Sequence, residues 1–116
     1  MGWHEVPGAA SLGDDEAMGV VLQERPVALV RSGGTLHALH NVCTHQFAYL
    51  SEGELEGDQI KCPLHGAKFD VKTGQAKSLP AVKAVPKHEV KIEDGHVYVA
   101  LNPKRVKIGG RGRRRR

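Results

Sequence analysis

Residues 43–66 read CTHQFAYLSEGELEGDQIKCPLHG, and they hold both cysteines of the chain. Each cysteine has a histidine close behind it. The order is Cys43-x-His45, sixteen further residues, then Cys62-x-x-His65. Two thiolates and two imidazoles make a complete ligand set for one metal ion or for a small cluster. A Cys2His2 zinc finger places both cysteines first and carries its histidines on a helix. Here the order alternates, and nothing nearby reads as a helix. In a Cys-x-His step on extended backbone the two side chains point the same way. Each loop can then offer its sulfur and its nitrogen to different metal atoms. That suits a binuclear [2Fe–2S] centre with both sulfurs on one iron and both nitrogens on the other.

The flanks of this stretch read as β-structure. Upstream, PVALVRSGGTLHALHNV (26–42) contains two β-rich runs separated by Ser32, Gly33 and Gly34, which predicts a hairpin. The run Met18 to Leu22 is short and apolar, and Glu24, Arg25 and Pro26 interrupt it. Downstream, HEVKIEDGHVYVAL (88–101) alternates Val90 and Ile92, then Val97, Val99 and Leu101, around a Glu-Asp-Gly turn. Pro80 and Pro86 frame a further loop. No stretch sustains a 3.6-residue period over a dozen positions, so the expected class is all-β.

The chain of 116 residues is long enough for one domain with a modest core. Its formal charge of +4 conceals an asymmetry. Residues 104–116, KRVKIGGRGRRRR, hold eight of the 17 basic residues and none of the 13 acids. The expected organisation is therefore a mildly acidic domain at 1–103 and a basic, disordered tail at 104–116. Clustered arginines can bind nucleic acid, but the body offers no aromatic-plus-basic surface to support that, so a nucleic-acid partner is not expected. The first twenty residues contain no apolar h-region, and no run approaches the roughly 18 apolar residues of a membrane helix. The expectation is a cytoplasmic protein without a membrane partner. A cytoplasmic chain rarely keeps a disulfide, which leaves metal ligation or thiol catalysis for the two cysteines. A thiol hydrolase would use one Cys/His box and leave the other redundant. A structural zinc module remains the other alternative.

The segment from NVCTH through LSEGELEGDQIKCPLHGAKFDVKTGQAKSLP resembles the Rieske-type ferredoxins of bacterial aromatic-ring-hydroxylating dioxygenase systems, and the likeness runs from about Trp3 to Leu101. The resemblance implies a Rieske fold of small antiparallel sheets, with a cluster-binding subdomain formed by two loops. It implies one Rieske [2Fe–2S] cluster, with Cys43 and Cys62 on one iron and His45 and His65 on the other. Respiratory Rieske proteins carry an extra cysteine in each box; residues such as Ala48 and Leu64 stand in those places here. The arginine-rich end and the aromatic pair Phe47 and Tyr49 depart from the family pattern.

The implied role is that of a one-electron carrier, not an enzyme. It would take electrons from a flavin-containing NAD(P)H reductase and pass them to a terminal oxygenase. A small subunit of another reductase, such as a nitrite reductase, is the alternative within this class. Two thiolates leave an oxidised [2Fe–2S] centre neutral where four leave it dianionic, so histidine ligation raises the potential, with an expected value near about −150 mV. Reduction is expected on the iron held by His45 and His65. His4, His37, His40, His88 and His96 lack ligand spacing and read as surface or structural. Gly66 reads either as a close-approach glycine or as a plain turn residue, and Pro80 as part of a third loop over the cluster. The alternating acids Glu52, Glu54, Glu56 and Asp58 form either a solvated edge or a docking face for a basic partner. A monomer is the simplest expectation.

Overall fold

The structure is a computed structural model, and it describes residues 2–43, 48–64, 66–77 and 84–103. The described residues form nine strands: β1 (His4–Glu5), β2 (Glu16–Leu22), β3 (Arg25–Ser32), β4 (Thr35–His40), β5 (Glu54–Glu56), β6 (Gln59–Lys61), β7 (Lys68–Asp70), β8 (Lys87–Glu93) and β9 (His96–Ala100). Two single 3-10 turns, Ala9–Ser11 and Leu50–Glu52, are the helical elements among the described residues. The all-β expectation holds. Among the described residues no helix is long and apolar enough to cross a membrane.

Six strands form one antiparallel sheet in the order β1-β9-β8-β4-β3-β2, and β5-β6-β7 form a second. Both expected hairpins are present. Gly33 and Gly34 join β3 to β4 with φ of 59° and 83°, and Asp94 and Gly95 join β8 to β9 with φ of 52° and 79°. Positive φ at both central residues gives the turn a twist that matches the flanking strands. A third hairpin, β2–β3, uses the same conformation at Gln23 and Glu24, where φ is 50° and 66°. Its ladder runs through Val21 opposite Pro26, inside the segment that reads in sequence as an interruption.

Strands β3 and β4 lie between two cores, which is why PVALV shows no polar alternation. Val27 and Leu29 with Leu36 and Ala38 face one core, shared with Val6, Ala9, Val97 and Val99. Ala28 and Val30 with Leu39 face the other, against Leu50, Ile60, Phe69, Val71 and Val85. Alternate residues of one strand point to opposite faces, so a strand covered on both sides must be apolar throughout. The second core fastens the three-stranded sheet to the large one. Both cysteines belong to it.

Candidate metal centre

Two loops deliver the cysteines, and they are built alike. The Cys43 N–H donates to the Ala48 carbonyl at 3.0 Å, and the Cys62 N–H donates to the Ala67 carbonyl at 2.6 Å. Each bond closes a loop of the same length, with a cysteine at its start and a buried alanine at its end. Loop 2 continues the β6–β7 ladder, where Lys61 pairs with Lys68. Loop 1 rises from a single bridge between Val42 and Tyr49. Gly53 brings the two together, because a Cβ there would overlap the Lys61 carbonyl oxygen, one residue before Cys62. Gly66 has φ of 72°, and among the described residues an added Cβ would meet only the end of the Lys61 side chain. Its backbone conformation is what requires glycine there.

The thiols meet. Both cysteines are free and 2% exposed, and the Cys43 side chain lies beside that of Cys62. The Leu64 N–H also donates to the Cys62 sulfur. Burial pushes the Cys62 thiol up to about 11, the Leu64 N–H opposes that rise, and the neighbouring Cys43 adds to it. As a bare thiol Cys62 therefore resists becoming a thiolate. A bound cation reverses that preference, since metal coordination deprotonates a thiol outright. Two adjacent sulfurs in an apolar shell, with a backbone N–H aimed at one of them, fit an iron–sulfur site.

His45 and His65 lie outside the described residues, as do Phe47, Pro80 and residues 104–116. Among the described residues no group of three or more Cys, His, Asp or Glu gathers as a metal site. The structure thus brings together the two sulfurs of the four-residue set. The other histidines divide. His96 Nδ1 lies 2.7 Å from a Glu5 carboxylate oxygen at the surface, whereas His37, His40 and His88 are buried. Burial, then the Arg25 charge, lowers both His40 and His88 to about 4.

The row of acids is partly neutralised. Lys68 pairs with Glu56 at 2.7 Å and Lys72 with Asp58 at 3.1 Å. Ser32 Oγ donates to Asp58 at 2.8 Å. Among the described residues Glu52 and Glu54 make no salt bridge. Beside the loops, Tyr49 and Leu64 are large and exposed.

The profile of the Rieske [2Fe–2S] domain matches residues 2–89. The chain belongs to that family. It is 36% identical over 100 residues to the ferredoxin component of the naphthalene 1,2-dioxygenase system of Pseudomonas putida, covering 86% of this chain and 96% of that one. Its fold matches the ferredoxin of carbazole 1,9a-dioxygenase from Nocardioides aromaticivorans IC177 with a TM-score of 0.82, at 30% identity over 88% of this chain and 100% of that one. A complex of reduced oxygenase and oxidised ferredoxin in carbazole 1,9a-dioxygenase contains a chain matched with a TM-score of 0.80, at 38% identity over 84% of this chain and 92% of that one. The cofactor of this Rieske chain is a [2Fe–2S] cluster, and its role is that of an electron carrier, not a catalytic oxygenase.

Asn41, Ser51, Gly53 and Ala67 escaped the sequence reading, and Ala48 was noted only as the place of an extra cysteine in respiratory Rieske proteins. The cue available for Asn41 was its place two residues before Cys43. Nothing in the sequence marked the burial of His40 and His88.

Proposed function

We propose that Cys43 and Cys62 hold one iron and His45 and His65 the other. In this reading the chain carries single electrons from a flavin-containing NAD(P)H reductase to a terminal aromatic-ring-hydroxylating oxygenase. The working unit is residues 1–103, a cytoplasmic monomer, with residues 104–116 a basic tail outside it. The observation that carries the reading is the meeting of the two buried thiols at the mouths of matched loops.

When bound, the cluster supplies a one-electron couple. The chain's own residues do the rest. Ala48, Leu50, Ala67 and Phe69 share a buried core with both cysteines, and that core keeps water from the thiols. The Leu64 N–H at the Cys62 sulfur favours its thiolate, because a hydrogen bond to the charged form stabilises that form. Exposed Leu64 and Tyr49 supply apolar contact beside the loops, and Glu52 and Glu54 supply negative charge to a basic partner.

Reconstitution tests the route. The purified chain, a flavin reductase and an oxygenase of this class should together turn over an aromatic substrate, with none formed when the chain is omitted. Equal turnover without it would overturn the proposed role. A midpoint several hundred millivolts above the expected value would argue for a different branch of the family.

A further inference from the structure

The two ligand loops are closed alike at the mouth and anchored differently at the base. Loop 2 stands on a continuous ladder: Lys61 opposite Lys68, Ile60 opposite Phe69 and Gln59 opposite Asp70. Loop 1 has one bridge, Val42 to Tyr49, and then the chain turns away through the 3-10 turn at Leu50–Glu52. Among the described residues no second strand continues the pairing there.

The side chain of Asn41 takes that place. Its backbone carbonyl accepts the Leu50 N–H at 2.8 Å, and its own N–H donates to Pro26 at 3.0 Å. Its Oδ1 accepts the Ser51 N–H at 2.7 Å, and its Nδ2 donates to Ser51 Oγ at 2.9 Å. One 4% exposed side chain thus ties the strand entering loop 1 to the segment leaving it. Gly19 on β2 is the seat of this clasp. A Cβ at Gly19 would lie 2.8 Å from Ser51 Oγ and 2.9 Å from Asn41 Nδ2, closer than such atoms pack.

We propose that Asn41 is a positioning residue for the first ligand loop, acting through the clasp with Ser51 and the seat at Gly19. Loop 2 is held by backbone pairing, which substitution leaves in place. Beyond its two backbone bonds, Cys43 to Ala48 and Leu50 to Asn41, loop 1 depends on a side chain, so the two can be uncoupled. The proposal rests on the assignment of Cys43 as a ligand only where it concerns metal retention. Its claim about the loop stands on the hydrogen bonds.

The test uses the full chain as isolated, with Asn41→Ala, Ser51→Ala, Gly19→Ala and the conservative Asn41→Asp. Leu36→Ala, in the other core, serves as a control for general destabilisation. Amide exchange is read over segments 42–50 and 60–70, and iron loss to a chelator is followed below the melting temperature. Asn41→Ala should speed exchange in segment 42–50 and iron loss about tenfold, the factor carried by one net hydrogen bond of ordinary strength. Segment 60–70 should stay at the parent rate. Ser51→Ala and Gly19→Ala should act in the same direction by smaller factors. Asn41→Asp keeps an acceptor for the Ser51 N–H and should return both readings to within about threefold of the parent. Equal acceleration in both segments, as Leu36→Ala should give, would overturn the proposal, as would failure of Asn41→Asp to rescue. A parent chain lacking iron and labile sulfide would instead sink the ligand assignment, while the exchange contrast would still decide on the clasp.

Discussion

Lowering the pH from 7.5 to 5 should destabilise this fold through two histidines outside the proposed ligand set. His40 on β4 and His88 on β8 occupy one face of the large sheet, diagonal to each other across the β4–β8 pairing. Arg25 shares that face from β3 and donates to the Asn102 carbonyl at 2.5 Å. The Asn102 N–H donates to His88 Nδ1 at 2.9 Å, so the neutral ring carries its proton on Nε2. Protonating His88 must break that bond and place a second charge beside Arg25. Neither nitrogen of His40, nor Nε2 of His88, has a hydrogen-bond partner among the described residues. Burial first, and Arg25 second, lower both rings to about 4 in the folded chain, against an ordinary value of 6.5. The unfolded chain therefore binds more protons between those two values, and stability falls as pH drops through that window. It is fully present above about 6.5 and stops falling below about 4. Between pH 7.5 and 5 each histidine should cost about 2 kcal/mol of stability, and the pair about 4.

Denaturant titrations of the parent and of His40→Leu at both pH values measure this. Ligand protonation also weakens metal binding in acid, but that loss is common to both proteins and cancels in the difference. His40→Leu should lose about 2 kcal/mol less than the parent on acidification. At pH 7.5 the variant should be near the parent, since an apolar group replaces unpartnered polar atoms. An equal acid loss in both proteins would refute the reasoning, because it would mean that the fold does not hold His40 neutral.

Three further outcomes follow from the structure. Glu52→Lys with Glu54→Lys should slow electron transfer to a basic partner and flatten its salt dependence. Glu56→Lys with Asp58→Lys should do so less, because Lys68 and Lys72 already offset those charges; stopped-flow rates over a salt series compare the two pairs. Gly53→Ala places a methyl group on the Lys61 carbonyl and should cost about 1–3 kcal/mol, with a fall in iron bound per chain. Phe69→Ala removes a fully buried ring from the core that contains both cysteines and should cost about 3–5 kcal/mol, read as a lowered denaturation midpoint.

The legible parts of the fold were those marked by strong local chemistry. Gly33–Gly34 and Asp94–Gly95 announced two hairpins, because left-handed turns select such residues. The β2–β3 hairpin was hidden because Gln23 and Glu24 adopt that conformation without glycine, and Pro26 looked like a break. The two-sided burial of β3 was invisible until a second sheet was seen to cover it. At the site, the spacing of Cys43 and Cys62 pointed to shared ligation, and the structure brings those sulfurs together. The clasp at Asn41 and the histidines beside Arg25 depend on partners 10 to 77 residues away along the chain. Local patterns carry no trace of such contacts.

The most direct test of the central claim is pulsed electron paramagnetic resonance on the reduced, full-length protein. Ligation by Cys43, Cys62, His45 and His65 predicts a [2Fe–2S] signal coupled to a pair of imidazole nitrogens, with one nitrogen lost in either His45→Cys or His65→Cys. A reduced protein that shows no coupled imidazole nitrogen, or one that holds zinc and gives no signal, would contradict the account.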